Sequence, residues 1–263
     1  MKIGVIGGSG LYSIDGFESL GEVEQKNIYG TPSSPYKIFR QGGVEFYFLS
    51  RHGRLHNIAP HKVNYRANIY GFKELGVEQI ISFTATGGIA DNLKPSDIVV
   101  PHNAIDMTHG RVSTFFDEEE VVHIDFTNPF CPNLREKIIN VAFKSGVSVF
   151  SDGVYICTNG PRLETASEIK IFKGFGADIV GMTLFPEAVL AREAEICYCN
   201  ISTVTNFAAG ISKTKLTTDE VVESVKNAEV KLKQILTAYG KNPCETGDCG
   251  CKNALKNSRI SKK

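Results

Sequence analysis

The chain has 263 residues, enough for one large α/β domain with a sizeable core but too few for a comfortable second one. Apolar residues at 42% and charged residues at 22% lie near the globular average, which disfavours disordered and fibrous classes for the body of the chain. A formal net charge of zero leaves no electrostatic footprint for a nucleic-acid backbone or an anionic membrane, so any anion must be held by a local site. The opening MKIGVIGGSG resembles neither a signal nor a transit peptide, and no run of 18 apolar residues occurs. A cytoplasmic protein is expected.

Lys2 to Ile6 is a short apolar run that enters the glycine turn Gly7-Gly8-Ser9-Gly10, the pattern of a buried strand and loop. Val44 to Leu49 predicts an aromatic-rich strand that delivers Ser50-Arg51-His52 at its end. Val63, Ala67 and Tyr70 predict a helix between Lys62 and Leu75, stopped by Gly76. Ile80 to Phe83 reads as a strand ending in Thr84-Ala85-Thr86-Gly87-Gly88. Leu134, Ile138 and Val141 repeat the helical spacing before Gly146, and VSVFSDGVYICT reads as strand again. Asp178 to Met182 and Ile196 to Val204 are further strands, separated by a helix that starts at Pro186-Glu187 with a proline and an acid in its first turn. The last helix begins at the capping box Thr217-Thr218-Asp219-Glu220, turns Val221, Val225, Leu232 and Ile235 inward, and stops at Gly240. This alternation predicts a single α/β domain over 1–240, a mixed central β-sheet flanked by helices on both faces, followed by a cysteine- and lysine-containing tail over 241–263.

Ligands of such folds bind beyond the carboxyl ends of strands, and these ends carry polar groups here. The glycine loop can offer backbone N–H groups and the Ser9 hydroxyl to an anion. It lacks both the G-x-G-x-x-G spacing of a dinucleotide site, which argues against a nicotinamide-dependent oxidoreductase, and the Gly-Lys-Ser/Thr of a P-loop. Arg51 adds a planar fork and His52 an imidazole donor, both suited to a tetrahedral oxyanion. Thr84 and Thr183 end separate strands and can supply hydroxyl donors. Of seven cysteines, Cys131, Cys157, Cys197 and Cys199 read as core residues, while Cys244, Cys249 and Cys251 crowd the tail. Three tail cysteines are too few for a four-ligand zinc site unless another chain contributes, so no metal is expected.

The segments GVIGGSGLY, SRHGRLHNIAPHKVNYRANI, TATGG, NGPRLET, GADIVGMTLFPEAVLAREAEICY and TVTNFAAG together resemble the trimeric purine nucleoside and 5′-methylthioadenosine phosphorylases. The resemblance spans nearly the whole body of the chain and implies phosphorolysis of a purine nucleoside, without a cofactor and with inorganic phosphate as co-substrate. It implies that Ser9, Arg51, His52, Thr84, Ala85 and Thr183 hold phosphate, Ala85 through its backbone. Met182 then packs under the sugar, His56 lies near phosphate and ribose, and His123 reaches a neighbouring subunit's 5′ pocket. Phe207 and Ala208 follow Asn206 in the base-binding strand end. A homotrimer, or a hexamer built as a dimer of trimers, is the implied assembly. The tail's Cys-x-Cys resembles the stabilising disulfides of heat-adapted members.

Two positions set the base. Methylthioadenosine enzymes carry a serine after Gly-Pro-Arg-Phe and a Thr-Asp-Tyr-Asp strand end; this chain has Glu164 and Asn206 instead, a pair that resembles the 6-oxopurine phosphorylases. A carboxylate accepts the N1 hydrogen of hypoxanthine or guanine, whereas adenine N1 is itself an acceptor. Asn206 can donate to O6, which an ionised aspartate cannot do, and it is the expected catalytic group together with His52. The competing structural roles are a helix cap for Glu164 and a turn for Asn206. Thr218, at the position facing the 5′ group, separates neither inosine and guanosine from 5′-methylthioinosine. The expected activity is therefore a 6-oxopurine nucleoside phosphorylase, the alternative an S-methyl-5′-thioinosine phosphorylase, and a non-catalytic nucleoside-binding protein the reading from another class.

Overall fold

Successive residues of the central strands enter two different cores. In the computed structural model, which describes residues 1–8, 16–118, 120–212, 218–245, 247 and 249–259 (side chains of 218–225 excepted), Ile3, Val5, Phe46, Phe48, Ile81 and Phe83 share one buried cluster. Their neighbours Ile6, Tyr47, Leu49 and Ile80 share another. A strand with both faces covered reads as a continuous apolar run, and this is why these strands were legible.

The strands are β1 (Lys2–Gly7), β2 (Glu18–Val23), β3 (Tyr36–Gln41), β4 (Val44–Ser50), β5 (Gln79–Gly88), β6 (Ile98–Val99), β7 (Asn103–Asp106), β8 (Val154–Cys157), β9 (Ile179–Gly181) and β10 (Cys197–Phe207). They form a ten-stranded mixed sheet in the order β2-β3-β4-β1-β5-β9-β8-β7, with β10 on the other edge of β5 and β6 beyond it. β1 is parallel to β4 and β5, and β5 to β10, whereas β9 meets β5 antiparallel. The helices are α1 (Tyr65–Glu74), α2 (Pro132–Lys144), α3 (Ala166–Gly174), α4 (Leu184–Glu193) and α5 (Thr218–Lys241). Residues of α2 and α5 fill the first core and residues of α1 and α4 the second, so helices cover both faces as expected. Gly4 allows that closeness, because a Cβ there would stand 2.9 Å from the Phe72 ring of α1.

Several elements differ from the expectation. The hairpin β2–β3 was not read from the sequence, because ESLGEV lies exposed on the sheet edge without a hydrophobic face. In VSVFSDGVYICT only Val154–Cys157 is strand, and Phe150 makes an isolated bridge to Val99. The first helix begins at Tyr65 rather than Lys62: Pro60–Lys62 is a 3-10 turn, and the Asn64 side chain accepts from Ala67 N at 3.1 Å as the cap. Phe185 departs from helical geometry (φ −105°, ψ 135°), so continuous helix in α4 starts at Pro186, as predicted. The capping residue Thr217 and the side chains of Thr218, Val221 and Val225 lie outside the described residues; Leu232 and Ile235 are buried as expected. After α5, Cys251 of the tail is buried at 1% exposure in one cluster with residues of α2 and β10. No helix among the described residues is long and apolar enough to cross a membrane.

Candidate active site

The sheet opens a gap at its centre. β5 pairs with β1 only as far as Ile6↔Ser82 and meets β9 at Gly87↔Val180, so this edge of β5 is unpaired in between. Strand alternation aims the backbone groups of Phe83 and Ala85 at the same edge. The Phe83 carbonyl accepts from Arg51 Nη1 there at 3.0 Å, and the Ala85 N–H therefore faces the gap. A cavity of about 970 Å³ opens at this point, walled by the ends of β4, β5, β9 and β10, by residues 56–60, and by Ala228, Glu229 and Leu232 of α5.

Arg51, His52, His56, Thr84, Ala85, Glu164, Met182, Thr183, Asn206, Phe207 and Ala208 all line this cavity, so most of the expected site residues converge. Ser9 lies outside the described residues, although its neighbour Gly8 lines the cavity, and the Thr218 side chain lies outside them as well. His123 is exposed and absent from this chain's cavity; its N–H donates to Ser258 O at 2.8 Å.

The Arg51 fork is not directed wholly at a ligand. Its Nε and Nη2 bind Glu187 at 2.6 and 2.9 Å, Nη2 also reaches Ser82 Oγ at 2.7 Å, and one Nη1 hydrogen goes to Phe83 O. This corrects the expectation of a free fork: one Nη1–H is left to face outward. Burial works against the guanidinium charge, but Glu187 more than restores it, so Arg51 stays above the ordinary arginine range. Glu187, read from the sequence as a first-turn acid, is fully buried and also accepts from Tyr198 Oη at 2.8 Å.

His52 differs from the expected donor. Its Nδ1 donates to Ile58 O at 2.8 Å, and burial, with Arg51 beside it, pushes its pKa down to about 4. The neutral ring then presents Nε2 as an acceptor. Thr84 Oγ1 lies 2.9 Å from Ser202 Oγ and takes a hydrogen bond from Asn200 Nδ2 at 3.2 Å, so it sits within a buried polar network. Thr183 precedes α4, and its hydroxyl is not used to cap that helix.

At the other end of the cavity, Glu164 is no helix cap: Thr165 caps α3 in a capping box with Glu168. The Glu164 Oε1 instead accepts from Thr158 Oγ1 at 2.6 Å, leaving Oε2 for a ligand. Arg111 fixes this loop by donating to Asn159 O at 2.8 Å and to Phe185 O at 2.5 Å. Asn206 Oδ1 accepts from Thr205 Oγ1 at 2.9 Å and its Nδ2 donates to Phe207 O at 2.8 Å, so one amide hydrogen remains. The turn-holding contact is present without exhausting the side chain. Gly160, at φ 57°, packs against Met182 so closely that a Cβ would collide with the Met182 sulfur.

Glu187, Ser82, Tyr198 and Arg111 were missed in the sequence; the signal for Glu187 is an acid inside the otherwise apolar run Leu184–Ala191. The expectation of no metal-ligand set is also corrected on geometry. Cys131 and Cys197, read as isolated core residues, converge with tail residues Cys249 and Cys251, their sulfurs all within 4.8 Å of one another.

The model of the family described as "Phosphorylase superfamily" matches residues 2–241. The chain is 50% identical, over 98% of its length and 97% of the relative's, to a Thermodesulfovibrio yellowstonii protein named "Probable S-methyl-5'-thioinosine phosphorylase". It is 46% identical to the "6-oxopurine nucleoside phosphorylase" of Pyrococcus furiosus, with 97% and 98% of the two chains covered. A crystal structure of a methylthioadenosine phosphorylase from an antarctic soil metagenomic library superposes with a TM-score of 0.93 at 34% identity, covering 99% of this chain and 92% of that one.

Proposed function

The chain belongs to the phosphorylase superfamily, and from that premise we propose that it is a pentosyltransferase that cleaves 6-oxopurine nucleosides with inorganic phosphate, taking inosine and guanosine to free base and ribose 1-phosphate. The observation that carries the base preference is Glu164, whose Oε1 is already satisfied by Thr158 while Oε2 is left for the N1 hydrogen of a 6-oxopurine. Adenine would set a lone pair against this carboxylate. The remaining amide hydrogen of Asn206 suits O6 or N7 of the same base.

In this reading phosphate occupies the gap on β5. Ala85 N–H, the outward Arg51 N–H, the Thr84 and Thr183 hydroxyls and the Ser9 loop donate to it. His52 Nε2 accepts its P–OH hydrogen. Because Glu187 neutralises Arg51, the pocket does not cancel the anion's charge, and the bound phosphate stabilises a cationic sugar through space. A phosphate oxygen bonds to C1′ as the C1′–N9 bond breaks. The electron pair moves into the purine, where Asn206 stabilises the charge around N7 and O6, and a proton from solvent completes the free base. Met182 packs beneath the ribose. His123 is exposed outside its own chain's cavity, which supports a role across the interface of a homotrimer.

A second reading is favoured by the relative at 50% identity, whose name specifies S-methyl-5′-thioinosine. Both readings share the base and the phosphate. Free-base release is measured with and without phosphate from inosine, guanosine, adenosine and both methylthio nucleosides. The proposal expects strict phosphate dependence and turnover of 6-oxopurines well above 6-aminopurines. Turnover without phosphate, or adenosine as the preferred base, would overturn it, and the inosine to methylthioinosine ratio decides between the two readings.

A further inference from the structure

We propose that Cys131, Cys197, Cys249 and Cys251 form a closed tetrathiolate site for a single zinc ion that staples the carboxy-terminal segment to the body of the enzyme. The four sulfurs come from three places distant in sequence: the cap position of α2, the first residue of β10, and a Cys-Gly-Cys turn beyond α5. All lie within 4.8 Å of one another, and Cys197 and Cys249 are 3.4 Å apart. A tetrahedral ion with bonds of about 2.3 Å to sulfur requires sulfur separations of roughly 3.8 Å, so one centre accounts for the whole set. A multi-iron cluster needs its cysteine sulfurs further apart. Two disulfides would instead divide the sulfurs into two pairs with bonds of about 2.05 Å.

The surroundings suit a structural ion. Cys131, Cys197 and Cys251 are buried at 1 to 2% exposure and Cys249 is half-buried, which leaves no open coordination position. Leu134 N donates to Cys131 Sγ at 3.5 Å from the first turn of the 13-residue α2, a hydrogen bond and helix dipole that both favour a thiolate. Gly250 lies at φ 76° with nothing near its missing Cβ, so glycine serves the left-handed turn that aims Cys249 and Cys251 at one point. Cys244, also on the tail and packed against the same core, is not in the set. Binding exchanges four S–H bonds for four Zn–S bonds, releases the protons to solvent and needs no oxidant.

The staple has a mechanical consequence. Beyond Cys251 the segment reaches Glu195 through Leu255 N at 3.3 Å, pairs Arg259 with Val122 as a β-bridge, and pairs Arg259 with Glu120 at 3.0 Å. Ser258 O accepts from His123 N. The ion thus anchors the strip that fixes the His123 segment.

The test uses the full-length protein purified without chelator or reductant. Elemental analysis should find about one zinc per chain, and thiol titration after denaturation with chelator should count all seven cysteines. Chelation should lower the thermal midpoint and added zinc restore it. Cys249→Ser with Cys251→Ser should abolish the metal, and Cys244→Ser should retain it. Should the double variant not fold, cobalt(II) loaded into the wild-type protein should give the intense visible bands of a tetrahedral tetrathiolate. Disulfides that consume these thiols, a reduced protein that takes up neither zinc nor cobalt, or zinc retained by the double variant would overturn the proposal.

Discussion

Replacing Glu187 by glutamine tests whether the end of the cavity proposed to hold phosphate rests on a buried ion pair. The Arg51 and Glu187 side chains are 3% and 1% exposed, and the carboxylate accepts four hydrogen bonds, two from Arg51 and one each from Ser82 and Tyr198. Glutamine preserves shape but has one acceptor oxygen. Whichever way the amide turns, its NH2 faces a donor: Arg51 Nε on one side, or Arg51 Nη2, Ser82 and Tyr198 on the other. The guanidinium is then buried without a counter-charge, a loss of about 3–5 kcal/mol. At about 2–4 °C per kcal/mol for a chain near this size, the thermal midpoint should fall by roughly 6–20 °C. The double variant Arg51→Met, Glu187→Leu removes both charges and should recover part of that stability, the remainder being the cost of leaving the Ser82 and Tyr198 hydroxyls and the Phe83 carbonyl without their partners. It should not recover phosphate affinity, since Arg51 Nη1 is gone. Midpoints from circular dichroism at fixed protein concentration and the KM for phosphate separate the two effects. A Glu187→Gln melt within about 2 °C of the parent, or a double variant as unstable as the single, refutes the account.

Three further perturbations address other parts of the site. His52 has a folded pKa near 4 against an ordinary value of 6.5, so between those pH values the unfolded chain binds a proton that the folded chain does not. Stability should fall as pH drops through this window and be insensitive to His52 above it. The stability of the parent relative to His52→Gln, from urea melts, should therefore shrink from pH 6.5 towards 4; a constant difference would show the ring to be unperturbed. Gly160→Ala adds a left-handed backbone penalty of about 1–2 kcal/mol and drives a Cβ into Met182, so kcat/KM should fall together with stability. Gly146→Ala has a similar φ of 73° but nothing near its Cβ, and should show the stability loss alone; matching activity in the two variants would remove Met182 from the argument. Glu164→Gln leaves the N1 hydrogen of a 6-oxopurine facing a weaker or mismatched partner, a loss of about 1–3 kcal/mol or roughly 5- to 150-fold in kcat/KM for inosine. Adenosine should be spared, and an unchanged inosine to adenosine ratio would contradict the assigned contact.

What the sequence revealed, and what it concealed, follows from the range of each interaction. β1, β4 and β5 are buried on both faces, and their apolar runs announced them locally. β2 is exposed and owes its conformation to pairing with β3, a contact its own residues do not advertise. Arg51, His52, Thr84 and Thr183 could be proposed because each is a polar residue at the end of an apolar run. The converse signal, a charge inside the apolar run Leu184–Ala191, belongs to Glu187. Locally it reads as a first-turn acid on the helix dipole, because its partner Arg51 lies 136 residues away in sequence. That one contact changes the chemistry of the site. It converts Arg51 from a free fork into a neutralised donor with one hydrogen to spare, and with His52 fixed as an acceptor by Ile58 O it leaves this end of the cavity without a net positive charge from the pair. The cysteines carry the same lesson at longer range. Cys131 and Cys197 look like small apolar core residues because burial and metal ligation produce the same local pattern, and only the folded path of the tail brings Cys249 and Cys251 to them. Residue types at strand ends therefore specify where polar groups gather around the cavity, whereas the charge and donor count they present are decided by contacts that close only when the chain has folded.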